Sequence, residues 1–213
     1  MRSLVAMVTA GCAAGPQPLA NRAAHPERHE CTERVVERLT TALRARWRVA
    51  RLELRCAAGR FGGVDGLFLE ARSRGLFRIG VVDASGAELV AFVDQPEPDP
   101  ATFINGYQAA DLDGDDNDEI VESWRRSSPV HLEADNWLVI RRIANARFLP
   151  PIRGPYVSRY HPDLGGCSAS WELRAGSLVV AVDVKPGIPP TDCLPEGTHR
   201  FALRGRQLIE RAR

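Results

Sequence analysis

Lysine is nearly missing from this chain. Of its 28 basic residues, all but Lys185 are arginines, a compositional bias that makes arginine abundance a poor guide to any site. An excess of one charge is missing too. The 28 basic residues face 27 acidic ones, for a net charge of +1, so the balance gives no reason to expect nucleic acid or an anionic membrane as a partner. No apolar run approaches the roughly 20 residues that a membrane-spanning helix needs. Cys-x-x-Cys is absent, which argues against a zinc site or a redox pair. So are Gly-x-Ser-x-Gly, His-Glu-x-x-His and Gly-x-x-x-x-Gly-Lys, the arrangements that expose a nucleophile, hold a catalytic zinc or cradle phosphates. What remains is a chain of 213 residues, 44% hydrophobic, long enough to bury the core of one domain.

The N-terminus is the first informative segment. Arg2, an apolar run over 4–10 and then Gly11 and Cys12 follow the charged, apolar, small-residue order of an export segment. Thr9-Ala10-Gly11-Cys12 resembles the bacterial lipobox, in which the cysteine is lipidated and becomes the new N-terminus. The resemblance implies a signal segment over 1–11, lipid on Cys12, and a bacterial cell-envelope location with the lipid as the only membrane contact. Residues 13–25, rich in Ala, Pro, Gly and Gln, read as a flexible continuation, so 12–25 is a tether and 26–213 a single globular domain. Setting Cys12 aside leaves Cys31, Cys56, Cys167 and Cys193, an even set that can pair fully in an oxidising compartment. Their grouping predicts Cys31–Cys56 and Cys167–Cys193. Each bridge closes a loop of about 25 residues, worth about 3 kcal/mol on a loop-entropy estimate.

Within the domain, Pro26 and the acids Glu27 and Glu30 suit a helix start. Val35, Val36, Leu39, Leu43 and Trp47 share one face at helical spacing, which predicts an amphipathic helix over 27–46. The period then changes to two. Strands are expected over 50–56, 67–71, 76–82, 88–93, 120–124, 137–143, 171–174, 178–184, 200–203 and 207–210. Gly59, Gly62, Gly63 and Gly66 read as one turn region, and 83–86, 95–100 and 185–195 as turns or loops. Residues 148–155 are interrupted by proline. Trp124, Trp137 and Trp171 fall in strand candidates and are expected in the core, an exposed platform for a sugar or peptide being the alternative. The expected fold is mainly β, with one helix preceding an antiparallel body.

The strongest local pattern is Asp-Leu-Asp-Gly-Asp-Asp-Asn-Asp-Glu over 111–119. Counting from Asp111, carboxylates stand at positions 1, 3, 5 and 9 as Asp111, Asp113, Asp115 and Glu119. Calcium takes six to eight oxygens, often from alternating residues of a tight loop plus a backbone carbonyl. Asn117 is placed to give that carbonyl. Gly114 and Asp116 occupy turn positions, and Asp118 is the surplus acid, expected to face water. With no basic residue among these nine, the acids repel one another unless a cation sits between them.

An EF-hand wants Gly at 6, an aliphatic residue at 8 and Glu at 12. Here Asp116, Asp118 and Glu122 stand there, and the next residues read as a strand. Together with Gly106-Tyr107-Gln108-Ala109-Ala110 before it, the loop resembles the FG-GAP type of repeat found in integrin-like β-propellers and many bacterial secreted proteins. The resemblance spans about 76–124. It implies calcium held between two strands by Asp111, Asp113, Asp115 and Glu119, with the carbonyl of Asn117. Asp116 stands where that family prefers Gly, and Glu119 where Asp is frequent. Only one such loop is present, so a complete propeller, which needs several blades, is not expected.

Candidates for catalysis are sparse. His25 and His29 lie four apart at the frayed start of the expected helix and read as solvated. His161, in Ser-Arg-Tyr-His-Pro-Asp over 158–163, is the best remaining acid or base but reads as a loop histidine. The leading expectation is therefore a non-enzymatic, calcium-binding, envelope-anchored β domain with a structural or adhesive role, its ligand an unidentified protein or glycan. The alternatives are a secreted hydrolase using His161, and a small accessory or inhibitor domain that binds a partner protein through an exposed apolar patch.

Overall fold

The computed structural model describes residues 31–83, 89–95, 102–128, 133–161, 165–184 and 193–211. The expected signal segment, Cys12, the tether, His25 and His29 lie outside them, as do most of the loops expected over 83–86, 95–100 and 185–195.

One helix, α1 (Glu33–Trp47), leads a series of antiparallel strands. It begins later than the hydrophobic spacing alone indicated. Residues 31 and 32 are not helical, and Thr32 is the N-cap, its hydroxyl accepting a hydrogen bond from the Val35 amide at 3.4 Å. A capping threonine outcompetes an upstream proline because it satisfies an amide that otherwise has no partner. Arg48 ends the helix in the left-handed region, φ 55°.

Four strands follow as a meander: β1 (Glu53–Phe61), β2 (Val64–Ser73), β3 (Leu76–Asp83) and β4 (Leu89–Gln95), paired in the order β1-β2-β3-β4. The glycine-rich region is not one turn. Only Gly62 and Gly63 make the bend between β1 and β2, both at positive φ. Gly59 and Gly66 face each other inside the strands. They are there for space. A Cβ on Gly59 would stand 2.6 Å from the Phe61 ring, and one on Gly66 would run into the Val82 carbonyl oxygen.

The second sheet has eight strands: β5 (Thr102–Ala110), β6 (Glu119–Ser128), β7 (Glu133–Arg141), β10 (Ile152–His161), β11 (Gly165–Arg174), β12 (Ser177–Val184), β13 (Gly197–Arg204) and β14 (Gln207–Glu210). Each pairs with its neighbour along the chain. Between β7 and β10 a small hairpin intervenes, β8 (Ile143–Ala144) and β9 (Arg147–Phe148). The mainly-β architecture with one helix is thus what the structure has, in two meanders and not a closed propeller. The stretch 76–124 divides between the two sheets.

Two of the long strands were hidden in the sequence. β5 lacks a clean alternation. β10 contains Gly154 and Pro155, and its register with β7 shifts on both sides of Tyr156. Bulges of this kind are where a sheet accommodates a residue with no amide to donate. Gly154 is needed because a Cβ there would come within 3.0 Å of Leu138 and 3.1 Å of Ile140.

Three packed regions hold the layers together. Leu39 and Leu43 of α1 cover Leu67, Leu69, Ala71 and Val82 on one face of the four-stranded sheet. Phe68, Phe77 and Ile79, on its other face, meet Ile104 and Ile120 of the larger sheet. The opposite face of that larger sheet gathers Val121, Leu138, Ile140, Val157, Leu178, Val180, Phe201 and Leu203 into one cluster. The strands curl far enough for β14 to approach β10. β2 is buried on both faces, so it reads as the nearly unbroken apolar run Gly-Leu-Phe-Leu-Glu-Ala. Trp124 packs against the inter-sheet core and stacks on Trp137 at 6.4 Å, while Trp171 packs against the third cluster. Disulfides join Cys31 to Cys56, tying the start of α1 to β1, and Cys167 to Cys193.

Candidate metal centre

The acidic segment is the connection between β5 and β6, which pair directly from Ala110 and Glu119 outward. Nothing helical follows it. Its shape comes from its own side chains, because Asp carboxylates accept from amides two to five residues on and so curl the chain. Asp111 accepts from the amides of Gly114 at 2.6 Å and Asp116 at 3.2 Å. Asp113 accepts from Asp115 at 3.3 Å, and Asp115 from Asn117 at 2.8 Å. Gly114 and Asp116 both take positive φ, 85° and 66°. Asp is among the few non-glycine residues that enter this region at modest cost.

This curl brings three carboxylates together. One oxygen from each of Asp111, Asp113 and Asp115 lies within 4.8 Å of the others, Asp111 being buried and the other two exposed. Calcium–oxygen bonds of about 2.3–2.6 Å put opposed ligands about 4.6–5.2 Å apart, so the spacing suits a shared ion. All three donors are hard oxygens, as calcium prefers. Partial desolvation within the curled loop first, and then the charge of Asp115, raise Asp113 above its ordinary value although it remains exposed.

The other two expected ligands make contacts of their own. Glu119 lies outside the triad, 3% exposed, and accepts from the Leu112 amide at 2.7 Å. Burial, reinforced by the three aspartates and only partly offset by that hydrogen bond, pushes its pKa up to about 8. Asn117 turns its side-chain carbonyl to the Gly63 amide, at 2.5 Å. Asp118 does not face water. It is 6% exposed, accepts from the Arg60 amide at 2.7 Å, and donates its own amide to the Arg60 carbonyl at 2.5 Å. The reason is strand geometry. Asp118 directly precedes β6, so it sits where the chain re-enters the sheet and meets β1.

The loop is therefore fastened on several sides. Asn117 and Asp118 tie it to the β1–β2 hairpin, and the Leu112 carbonyl accepts from the Leu203 amide of β13 at 3.1 Å. Glu122, the twelfth residue from Asp111, is wholly buried. It accepts from Arg141 and from the Trp124 indole, each at 2.7 Å. It stands as half of an internal ion pair. Sequence periodicity places Glu122 and Arg141 on facing strands only once the β6–β7 register is known.

The histidine candidates gather no comparable constellation. His161 is the last residue of β10, opposite Gly165, and not a loop residue; its side chain lies outside the description. His199 is buried, with Nδ1 2.7 Å from Glu210 and Nε2 2.8 Å from the Pro195 carbonyl, so both ring nitrogens are engaged in holding β13 and β14. Among the described residues the exposed large hydrophobics are Phe92 and Ile209, on different sheets, and they make no contiguous patch. No described helix is long and apolar enough to cross a membrane. Comparison with family models, curated proteins and solved structures finds no match.

Proposed function

We propose that this chain is a non-enzymatic, calcium-stabilised β domain, exported and held at the bacterial cell envelope by lipid on Cys12, with a structural or adhesive role. The observation that carries the metal reading is the convergence of Asp111, Asp113 and Asp115 on a loop that joins two paired strands. That setting is the one an FG-GAP-type calcium loop requires. Asp111, Asp113 and Asp115 would hold the ion, with Asn117 supplying a backbone carbonyl and Glu119 a fourth carboxylate. The ion would cancel the mutual repulsion of these acids and stiffen the junction between the two sheets. The lipid anchor is supported by the sequence 9–12 and by the fully paired set Cys31, Cys56, Cys167 and Cys193, which suits an oxidising compartment.

Calorimetry tests the metal. A ligand bound only by the native state raises stability by about 2.7 kcal/mol at a hundredfold excess over its dissociation constant. The melting temperature is expected to be higher in calcium than in chelator, and the Asp113→Asn and Asp115→Asn variants should lose that difference. An identical melting temperature in calcium and chelator would sink the proposal. Incorporation of labelled fatty acid, abolished by Cys12→Ala, tests the anchor separately.

A further inference from the structure

The C-terminal end of α1, the start of β1 and the turn between β2 and β3 border an open cavity of about 680 Å³. Its walls carry Arg48, Arg51, Arg72 and Arg74, with Glu53 and Ser73 between them. The fold produces this grouping in three steps. Arg48 takes the left-handed cap position and turns the chain out of the helix. Leu52, just before β1, is buried, while its neighbours Arg51 and Glu53 are exposed. Glu53 and Arg72 are cross-strand partners at the end of the β1–β2 ladder, and Arg74 follows in the turn.

The charges there are poorly matched. Arg72 uses its Nε on Glu70, at 2.6 Å, and a terminal nitrogen of the same group is buried with no hydrogen-bond partner among the described residues. Arg48, Arg51 and Arg74 are exposed and form no ion pair within the described residues. Three arginines without an ion pair among the described residues therefore line one concavity with a single carboxylate, that of Glu53. Arginine is the common basic residue of this chain, so its presence says little. Its convergence on one cavity, with more cations than carboxylates, is the informative part.

We propose that this cavity binds the phosphate group of a small phosphorylated molecule, held by Arg48, Arg51 and Arg74. A guanidinium offers a planar fork of donors that fits phosphate oxygens two at a time. A tetrahedral dianion accepts such forks from several directions, whereas one carboxylate is used up by one fork. The volume lies within the range of about 300–1,000 Å³ typical of small-molecule sites. It leaves room beyond a phosphate for an organic remainder against Val49 and Ala50. The same chemistry is offered by a soluble phosphorylated compound and by a phospholipid headgroup. None of it depends on the acidic loop.

Pyrophosphate titrated into the full chain by calorimetry is the primary test. Chelator is present throughout, because pyrophosphate itself takes calcium. Saturable binding is expected. It should weaken about tenfold or more in Arg51→Gln/Arg74→Gln, less in Arg51→Lys/Arg74→Lys, and not at all in Arg200→Gln, an exposed arginine on β13. Arg51 and Arg74 are exposed, so the fold should survive; either single substitution serves if the pair does not. A second arm measures sedimentation with phosphatidic acid vesicles against phosphatidylcholine vesicles. Added binding to the former, lost in the double variant, assigns the site to a headgroup; its absence alongside pyrophosphate binding assigns it to a soluble ligand. The proposal is overturned by absence of saturable pyrophosphate binding at about millimolar concentration, by an equal loss in Arg200→Gln, or by an excess of phosphatidic acid over phosphatidylcholine binding that survives the double substitution.

Discussion

Asp118 is one acid of the loop that never joins the others. It is buried against β1 and exchanges two hydrogen bonds with the backbone of Arg60. Its role is thus separable from that of the triad. Asp118→Ala leaves the Arg60 amide without its acceptor in a part-buried place, a loss of about 1–3 kcal/mol. Urea unfolding should show this loss equally in calcium and in chelator, in contrast to Asp115→Asn, whose effect should appear in calcium alone. Glu70 gives a second residue-scale test, well away from the loop. It faces the other sheet from β2, 2% exposed, with one carboxylate oxygen unpartnered among the described residues. Burial holds its pKa above the ordinary 4.5, against the pull of Arg72 and Arg55, and Glu122 adds to the rise. A carboxyl with a raised folded-state pKa contributes stability that is complete below its unfolded value and is lost as pH rises through the folded one. Stability measured from about pH 4 to about pH 8 should therefore fall less in Glu70→Gln than in the parent, moving the difference in the variant's favour as pH rises. A constant difference across that range would mean that Glu70 does not titrate in the fold.

At the level of elements, the glycines show how a strand can be read as a turn. Gly59 and Gly66 oppose one another in the β1–β2 ladder, and each is small because something else fills the space. The Val82 carbonyl of β3 occupies the position a side chain on Gly66 would need. Gly66→Ala is expected to cost about 1–3 kcal/mol by overpacking, measured by chemical denaturation. An alanine there without effect would show that β2 and β3 can part locally. β10 teaches the same lesson through proline. Pro155 and Gly154 disguise a ten-residue strand, and only the shifted register against β7 explains how both residues are tolerated. Helix α1 was recognisable by its apolar spacing. Its first turn was not: Pro26, Glu27 and Glu30 suit a helix start in the sequence, yet Thr32 is the residue that caps it, and that choice is a matter of geometry.

For the molecule as a whole, the acidic loop is a junction. It binds the four-stranded sheet through Arg60 and Gly63, and β13 of the larger sheet through Leu203. Removing the ion should then loosen more than the loop. Hydrogen exchange in chelator should accelerate at the amides of Arg60, Gly63 and Leu203 together with 112–118, while the interior of α1, which packs on the far face of the smaller sheet, stays protected. Acceleration confined to 112–118 would mean that the loop hangs on the fold without bracing it.

The residue pattern by itself determined the mainly-β class, the single helix, the grouping of four cysteines into two pairs, and the spacing of Asp111, Asp113 and Asp115. These follow from local rules: side-chain period, turn chemistry, and the alternation that aims every second residue of a tight loop inward. Tertiary structure alone decided the rest. It turned Asp118 inward, set Glu119 beside the triad, paired Glu122 with Arg141, and drew Arg48, Arg51 and Arg74 around one cavity. Each of these depends on which strand lies next to which and in what register, and registers are set by contacts between residues far apart in the chain, which local spacing does not encode.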